Sequence, residues 1–491
     1  MSNPKKAYYA VNQVLLHFEA QNDGPIFPLA GGTQVMPIPD VTLQWLEARF
    51  RVRLSVVDQR AHRLAGNKTR AFAFVRFTLA KGQDSVAVLV AEMTNQIDKS
   101  GGRVSVPAAN DKELLLIGVT PNWLCGATQG TSIGIGGPGS VPTIPRALGR
   151  VPPITWSAEQ ERKNSWRAAS KRDVHVFVLD TLRLDERGEV SPPRLEIDDA
   201  VSADSNALLV NDEAGHPIKI GNPTADDSYM PEHGPFIAGI IKAIAPKAIV
   251  HVVQVLNDHG IGSIESIAAG FETVSDMQRK LGDAPCLVNC SFVIAAPVGN
   301  SKQVLNADTR FTEHDTTDLD YGAQDPDRTR SSHALFSNIV DLALAREIQA
   351  GIVAAAGNDS AGLTQGTPPF KARYPARLDQ VLGVGALEPG CTRADFSNAP
   401  DRPGDIGLMT LGRLVAPFFD SGTRTMGLRE WAGTSFAAPV ITGLIAKLMG
   451  EHGFEFARAV EELRQAEPSV QRPGSNREPD TTGEIITVTQ S

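Results

Sequence analysis

Residues 174–181 read V-H-V-F-V-L-D-T, a nearly continuous apolar run that ends on an acidic residue. A strand apolar on both faces belongs in a sheet covered by helices on both sides, and such sheets are parallel. Comparable runs recur at 248–256, 286–293, 352–356 and 381–386, with helical periodicity at 264–281 and 333–350. The expectation is an α/β domain over residues 157–466, built on a parallel doubly wound sheet with helices on both faces. Asp180 then stands at the carboxyl end of a strand, the edge along which open α/β sheets gather ligands, although a strand-end aspartate is often only a cap.

Upstream the pattern changes. Strand-like alternation at 8–18, 51–57, 70–79 and 113–119, with helical faces at 39–50 and 85–96, gives the order β-α-β-β-α-β and predicts a small ferredoxin-like α+β domain over residues 1–124. Residues 125–156 are rich in Gly, Ser, Thr and Pro and read as a linker. Residues 300–330 form a polar, aspartate-rich insertion, expected as a surface loop. Residues 467–491 read as a loose polar tail whose I-I-T-V-T has room for one added strand.

Composition excludes several classes. The net charge of −9 gives no basic excess for a phosphate backbone, so nucleic acid is not an expected partner. The longest apolar stretch, 285–298, is too short for a membrane helix and carries Asn289 and Ser291. The first residues lack the apolar core of a secretory signal, so a cytoplasmic location is the expectation. Cys125, Cys286, Cys290 and Cys391 are too few for a disulfide scaffold and read as reduced thiols.

Four segments carry chemistry. Residues 431–449, W-A-G-T-S-F-A-A-P-V-I-T-G-L-I-A-K-L-M, run a small-residue turn straight into an apolar helix. That puts Ser435 at a helix N-terminus, where unpaired N–H groups and the dipole favour negative charge. Pro439 is expected in the first turn, where its missing N–H costs nothing. Taken alone, Ser435 reads better as a simple N-cap than as a nucleophile. His233, in E-H-G, opens the helical run P-F-I-A-G-I-I-K-A-I, and G-I-V-A-A-A-G-N ends a buried strand on Asn358. An asparagine there can form a turn, or it can aim an N–H at a developing oxyanion. Asp180 is the fourth.

Together, V-F-V-L-D-T, H-G-P-F-I-A-G, A-A-A-G-N and G-T-S-F-A-A-P resemble the subtilisin family of serine proteases over residues 165–450, supported by V-V-Q-V-L-N-D-H-G-I-G at 252–262 and Y-P-A-R-L-D-Q-V-L-G-V-G-A at 374–386. The order Asp, His, Ser is the one in which the catalytic triad occurs in the subtilisin family. The resemblance implies a serine endopeptidase acting on protein or peptide substrates. It makes Ser435 the nucleophile, His233 the general base and acid, Asp180 the residue orienting His233, and Asn358 the oxyanion donor. It also implies a substrate-binding strand and turn at Ser291, Phe292, Val293 and Gly357. It calls for no metal or organic cofactor in catalysis; structural calcium is common in the family, and the sequence places no ligands for it.

Departures from the family pattern fall at Leu182 for Gly, at Pro235 and Phe236 for Thr and His, and at Phe292 and Val293 for Leu and Gly. Bulk at Phe292 and Val293 is expected to narrow the cleft, and the insertion is expected to overhang it. The N-terminal domain resembles the family's inhibitory propeptide, whose end occupies the active site; a recognition domain of similar fold is the other reading. Intramolecular inhibition, and self-cleavage within the linker, follow from the first. The rival functions are a catalytically silent, protease-like binding module and an α/β-hydrolase esterase suggested by G-T-S-I-G around Ser132. That elbow must join a buried strand to a helix, and neither is expected there. The G-x-G-x-x-G match at 134–139 also lacks its helix, and a chain with 44 glycines produces such spacings by chance.

Overall fold

In the computed structural model the apolar runs become neighbours in one sheet. The residues it describes are 6–21, 40–64, 70–79, 86–108, 113–127, 153–156, 166, 172–182, 199–202, 230–294, 311–315, 350–361, 363, 368–401, 405–420, 425–465 and 483–490. The helix expected at 333–350 and most of the linker, insertion and tail lie outside them.

Eight strands form the main sheet, in the order Glu484–Ile485, Leu408–Leu411, Val381–Leu387, Ala350–Ala355, Cys286–Cys290, His175–Thr181, Ile249–Leu256 and Asp199–Ser202, every pair parallel. Every residue of the His175–Thr181, Cys286–Cys290 and Val381–Leu387 strands is buried, which explains their lack of alternation. Helices His233–Ile244 and Thr434–His452 pack against each other on one face, where Gly443 lets Ile244 approach so closely that a Cβ would stand 3.0 Å from it. Helix Ile264–Leu281 covers the other face over the strands Ile249–Leu256 and His175–Thr181. Its start is fixed by a reciprocal cap between Ser263 and Ser266, and it stops at Gly282. No helix among the described residues is long and apolar enough to cross a membrane.

The N-terminal strands order as Leu54–Leu64, Arg70–Leu79, Lys6–Gln21 and Glu113–Ala127, all antiparallel, with helices Asp40–Phe50 and Val86–Lys99. This is the expected ferredoxin-like order, with one added strand, Val104–Pro107, paired to Glu113–Ala127. That last strand does not end at residue 124, where the composition changes. It continues to Ala127 because two strands from outside the N-terminal domain, Ile261–Ser263 and Phe292–Ile294, satisfy its backbone from both sides. The insertion also differs from a plain loop. Its segment Phe311–Asp315 is a strand paired antiparallel to residues 6–10, extending the N-terminal sheet. The tail supplies two short strands, one of them closing an edge of the main sheet.

Candidate active site

Asp180 lies fully buried at the carboxyl end of its strand, and His233 is the first residue of its helix. Thr181 brings the two together. Its hydroxyl accepts the Gly234 N–H at 3.1 Å and lies 3.2 and 3.1 Å from the Met230 and Pro231 carbonyls, tying the turn before the helix to the strand. The approach requires a glycine: a Cβ on Gly234 would sit 2.2 Å from the Thr181 carbonyl oxygen and 3.0 Å from Asp180 Cβ. His233 Nδ1 is 2.7 Å from Asp180 Oδ1, which also accepts the Thr181 N–H at 2.7 Å. An ionised carboxylate only accepts, so Nδ1 carries the proton and Nε2 of a neutral ring carries the lone pair. Leu182, in place of the expected glycine, is buried without displacing this pair.

Aromatic rings wall the histidine. Trp431 meets it edge-on at 5.3 Å, Phe436 lies at the same distance, and Phe236 packs on both of those rings. Phe236, a departure from the family pattern, is therefore part of the packing that fixes the ring plane of His233.

Ser435 is not an N-cap. Gly433 holds that position in an extended conformation, and Ser435 is the second residue of the helix. Pro439 is likewise not in the first turn but at the sixth helical position. An amide there would bond the carbonyl four residues back, which is that of Ser435. With no N–H to offer, Pro439 leaves that carbonyl to another donor, the Ser291 hydroxyl at 2.9 Å. In return the Ser435 hydroxyl donates to the Ser291 carbonyl at 3.1 Å. Asn289 donates to the Ser291 hydroxyl at 2.9 Å, and Thr442, about two turns further along the serine helix, donates to Asn289 Oδ1 at 3.0 Å. The serine helix is thus bound through Ser435 and Thr442 to Ser291 and Asn289, at the end of the Cys286–Cys290 strand and just after it.

Asn358 follows the Ala350–Ala355 strand and is buried. Its Oδ1 accepts both the N–H of Thr434 at 3.0 Å and the Thr434 hydroxyl at 2.9 Å, while Gly357 N–H donates to that hydroxyl at 3.2 Å. A backbone N–H can only donate, so the amide orientation is fixed and the Nδ2 donor is turned away from Thr434.

The expected substrate residues Phe292 and Val293 pair with residues of the N-terminal domain: Ala127 opposite Phe292, Gly126 opposite Val293, Cys125 opposite Ile294. The other edge of the same segment pairs Gly126 with Ile261, Cys125 with Gly262 and Leu124 with Ser263. Extended chain from the N-terminal domain therefore lies between two strand edges, with Ala127 opposite Phe292, the residue after Ser291. Cys290 is buried near Asp180; burial, with that carboxylate adding to it, pushes its thiol far up. No three His, Cys, Asp or Glu side chains converge among the described residues, and no calcium site is assigned. Sequence reasoning brought out Asp180, His233, Ser435 and Asn358 but missed Thr181 and Thr434, each of which stands beside a quoted residue in D-T and G-T-S.

The profile of the subtilase family matches residues 193–467, a span holding His233, Asn358 and Ser435 and beginning after Asp180. Subtilisin DY of Bacillus licheniformis is 25% identical over 229 residues, 45% of this chain and 64% of that protein. Subtilisin E of Bacillus subtilis (strain 168) is 24% identical over 265 residues, 52% of this chain and 55% of that one. The matches thus span less than two thirds of these relatives. Among solved structures, a cold-adapted subtilisin-like serine proteinase superposes with 18% identity and a TM-score of 0.36, covering 65% of this chain and 91% of that one.

Proposed function

The chain belongs to the subtilase family, and we propose that it is a serine endopeptidase whose own N-terminal domain occupies its substrate cleft. The observation that carries the catalytic part is the buried 2.7 Å contact of His233 Nδ1 with Asp180 Oδ1. With Nδ1–H committed to the carboxylate, Nε2 takes the Ser435 hydroxyl proton as the oxygen attacks a peptide carbonyl. It then returns that proton to the leaving amine, and water releases the acyl group by the same exchange in reverse. The oxyanion forms against Asn358 Nδ2 and the Ser435 N–H, which belongs to the first helical turn, where N–H groups have no intrahelical acceptor. This route uses no metal or organic cofactor.

Substrate chain would bind as a strand between Ile261–Ser263 and Phe292–Ile294, past Ser291, Phe292, Val293 and Gly357, the course that residues 124–127 take. Their antiparallel run leads toward Ser291, whose carbonyl contacts the Ser435 hydroxyl, so self-cleavage is expected just beyond Ala127. Until that strand leaves, proteins and peptides are excluded. The acidic net charge and the four free cysteines suit a cytoplasmic enzyme without nucleic acid partners.

The test is incubation of the full chain beside Ser435→Ala. A fragment ending within a few residues of Ala127 in the wild type alone, with peptide hydrolysis rising as the N-terminal fragment is removed, is the expected result. No hydrolysis after the linker has been opened and the fragment stripped away would instead point to a silent binding module.

A further inference from the structure

The turn that carries Asn358 is held by a buried side chain that takes no part in the triad. Residues 356–360 leave the Ala350–Ala355 strand through Gly357 at φ 107°, where a Cβ would lie 2.7 Å from Asn398 Nδ2. Asn398 is itself fully buried. Its Nδ2 donates to the Ala356 carbonyl at 3.3 Å and to Asp359 Oδ2 at 2.8 Å. Its Oδ1 accepts the Asp359 N–H and the Ser360 hydroxyl, both at 3.0 Å. Its own N–H donates to the Gly357 carbonyl at 2.9 Å. Thus Ala356, Gly357, Asp359 and Ser360 each bond Asn398, while Asn358, between them, is held from the opposite side by Thr434. Arg373 completes the arrangement: its Nε is 2.7 Å from Asp359 Oδ2, with both side chains nearly inaccessible, and its N–H meets the Ala356 carbonyl at 2.9 Å.

We propose that Asn398 is a positioning residue for the oxyanion donor, acting through the turn it clamps, with the Asp359–Arg373 pair fixing Asn398 in turn. The inference rests on the protease reading. Oxyanion stabilisation depends on a donor oriented before charge develops, and a misplacement of about 1 Å costs on the order of 10²-fold in rate. None of these Asn398 bonds reaches Ser435, His233 or Asp180, so its effect on turnover should pass through Asn358.

The test is a double-mutant cycle in peptide hydrolysis by the full chain, opened in the linker, with Asn398→Asp and Asn358→Ala separately and combined. Asn398→Asp preserves shape but sets a carboxylate against Asp359 and the Ala356 carbonyl. Expected is a fall in kcat of roughly 10- to 100-fold with KM within about twofold, and almost no further fall when it is added to Asn358→Ala. An unchanged kcat, or an equal loss in both backgrounds, overturns the proposal. Asp359→Asn, which keeps the shape and removes the charge paired with Arg373, is carried through the same cycle and answers the question if Asn398→Asp does not fold. A wild-type chain without turnover speaks against the protease reading; a wild-type chain with turnover but additive losses speaks against this proposal alone.

Discussion

Thr434 directs both its N–H and its hydroxyl at one oxygen of Asn358, and the proposed oxyanion role falls to the amide nitrogen on the other side of that group. Asn358→Ala is therefore expected to lower kcat by about 10²- to 10³-fold with little change in KM, read from steady-state kinetics on a peptide. Asp180, His233, Ser435 and Asn358 stood out because their four short blocks together resemble those of the subtilisin family, whereas each residue alone also reads as a cap or a turn former. Thr181 and Thr434 did not stand out, because their roles are hydrogen bonds to segments tens of residues away. Cys290 makes a separate prediction. Burial raises its thiol above the ordinary value of 9.0, the neighbouring Asp180 adding to the shift. Below pH 9 folded and unfolded chains both keep the thiol neutral and no stability is lost. Above it the unfolded chain ionises while the folded one resists, so stability falls as pH rises. Thermal unfolding between pH 8 and 10.5 should show this decline, and Cys290→Ala should make it shallower.

At the scale of elements, the site is made by where helices start. Gly234 lets the His233 helix begin against the Asp180 strand, and no larger residue fits between them. Gly234→Ala should lower kcat at least 10-fold through misplacement of the His233–Asp180 pair, with a folded spectrum retained; full activity in that variant would contradict the geometry argued for the pair. The helix at Ile264–Leu281 was legible from its periodicity, and the structure adds the Ser263–Ser266 cap and the Gly282 stop that bound it. Pro439 was misplaced by a turn because sequence pattern gives a helix's existence better than its first residue. Its real position ties it to Ser291 through the Ser435 carbonyl. Ser291→Ala should leave that buried carbonyl without its partner, costing roughly 1–3 kcal/mol, read as a lower midpoint in denaturant.

At the scale of the whole molecule, three strands outside the N-terminal domain pair with it: Ile261–Ser263, Phe292–Ile294 and Phe311–Asp315. Asn122 adds a side-chain bond, accepting the Glu265 N–H at the start of the Ile264–Leu281 helix at 3.3 Å. Composition marked residues 125–127 as linker and residues 300–330 as loop because strand pairing between distant segments leaves no local signal. In an antiparallel pair hydrogen-bonded residues alternate, so of Thr312 and Glu313 one directs its N–H at the partner strand. The double substitution Thr312→Pro and Glu313→Pro should therefore speed release of the N-terminal fragment from a chain cut in its linker. Size-exclusion chromatography in the Ser435→Ala background reads this without any self-digestion, and equal retention with and without the prolines would contradict a holding role for that strand. The account as a whole rests on an activated Ser435 behind an occupied cleft. The direct measurement is labelling of the full chain with a fluorophosphonate probe, located by mass spectrometry, with Ser435→Ala as control. The account predicts modification at Ser435 that is slow in the intact chain, fast once the N-terminal domain has been released, and absent in the variant. No modification at Ser435 even after that release would contradict it.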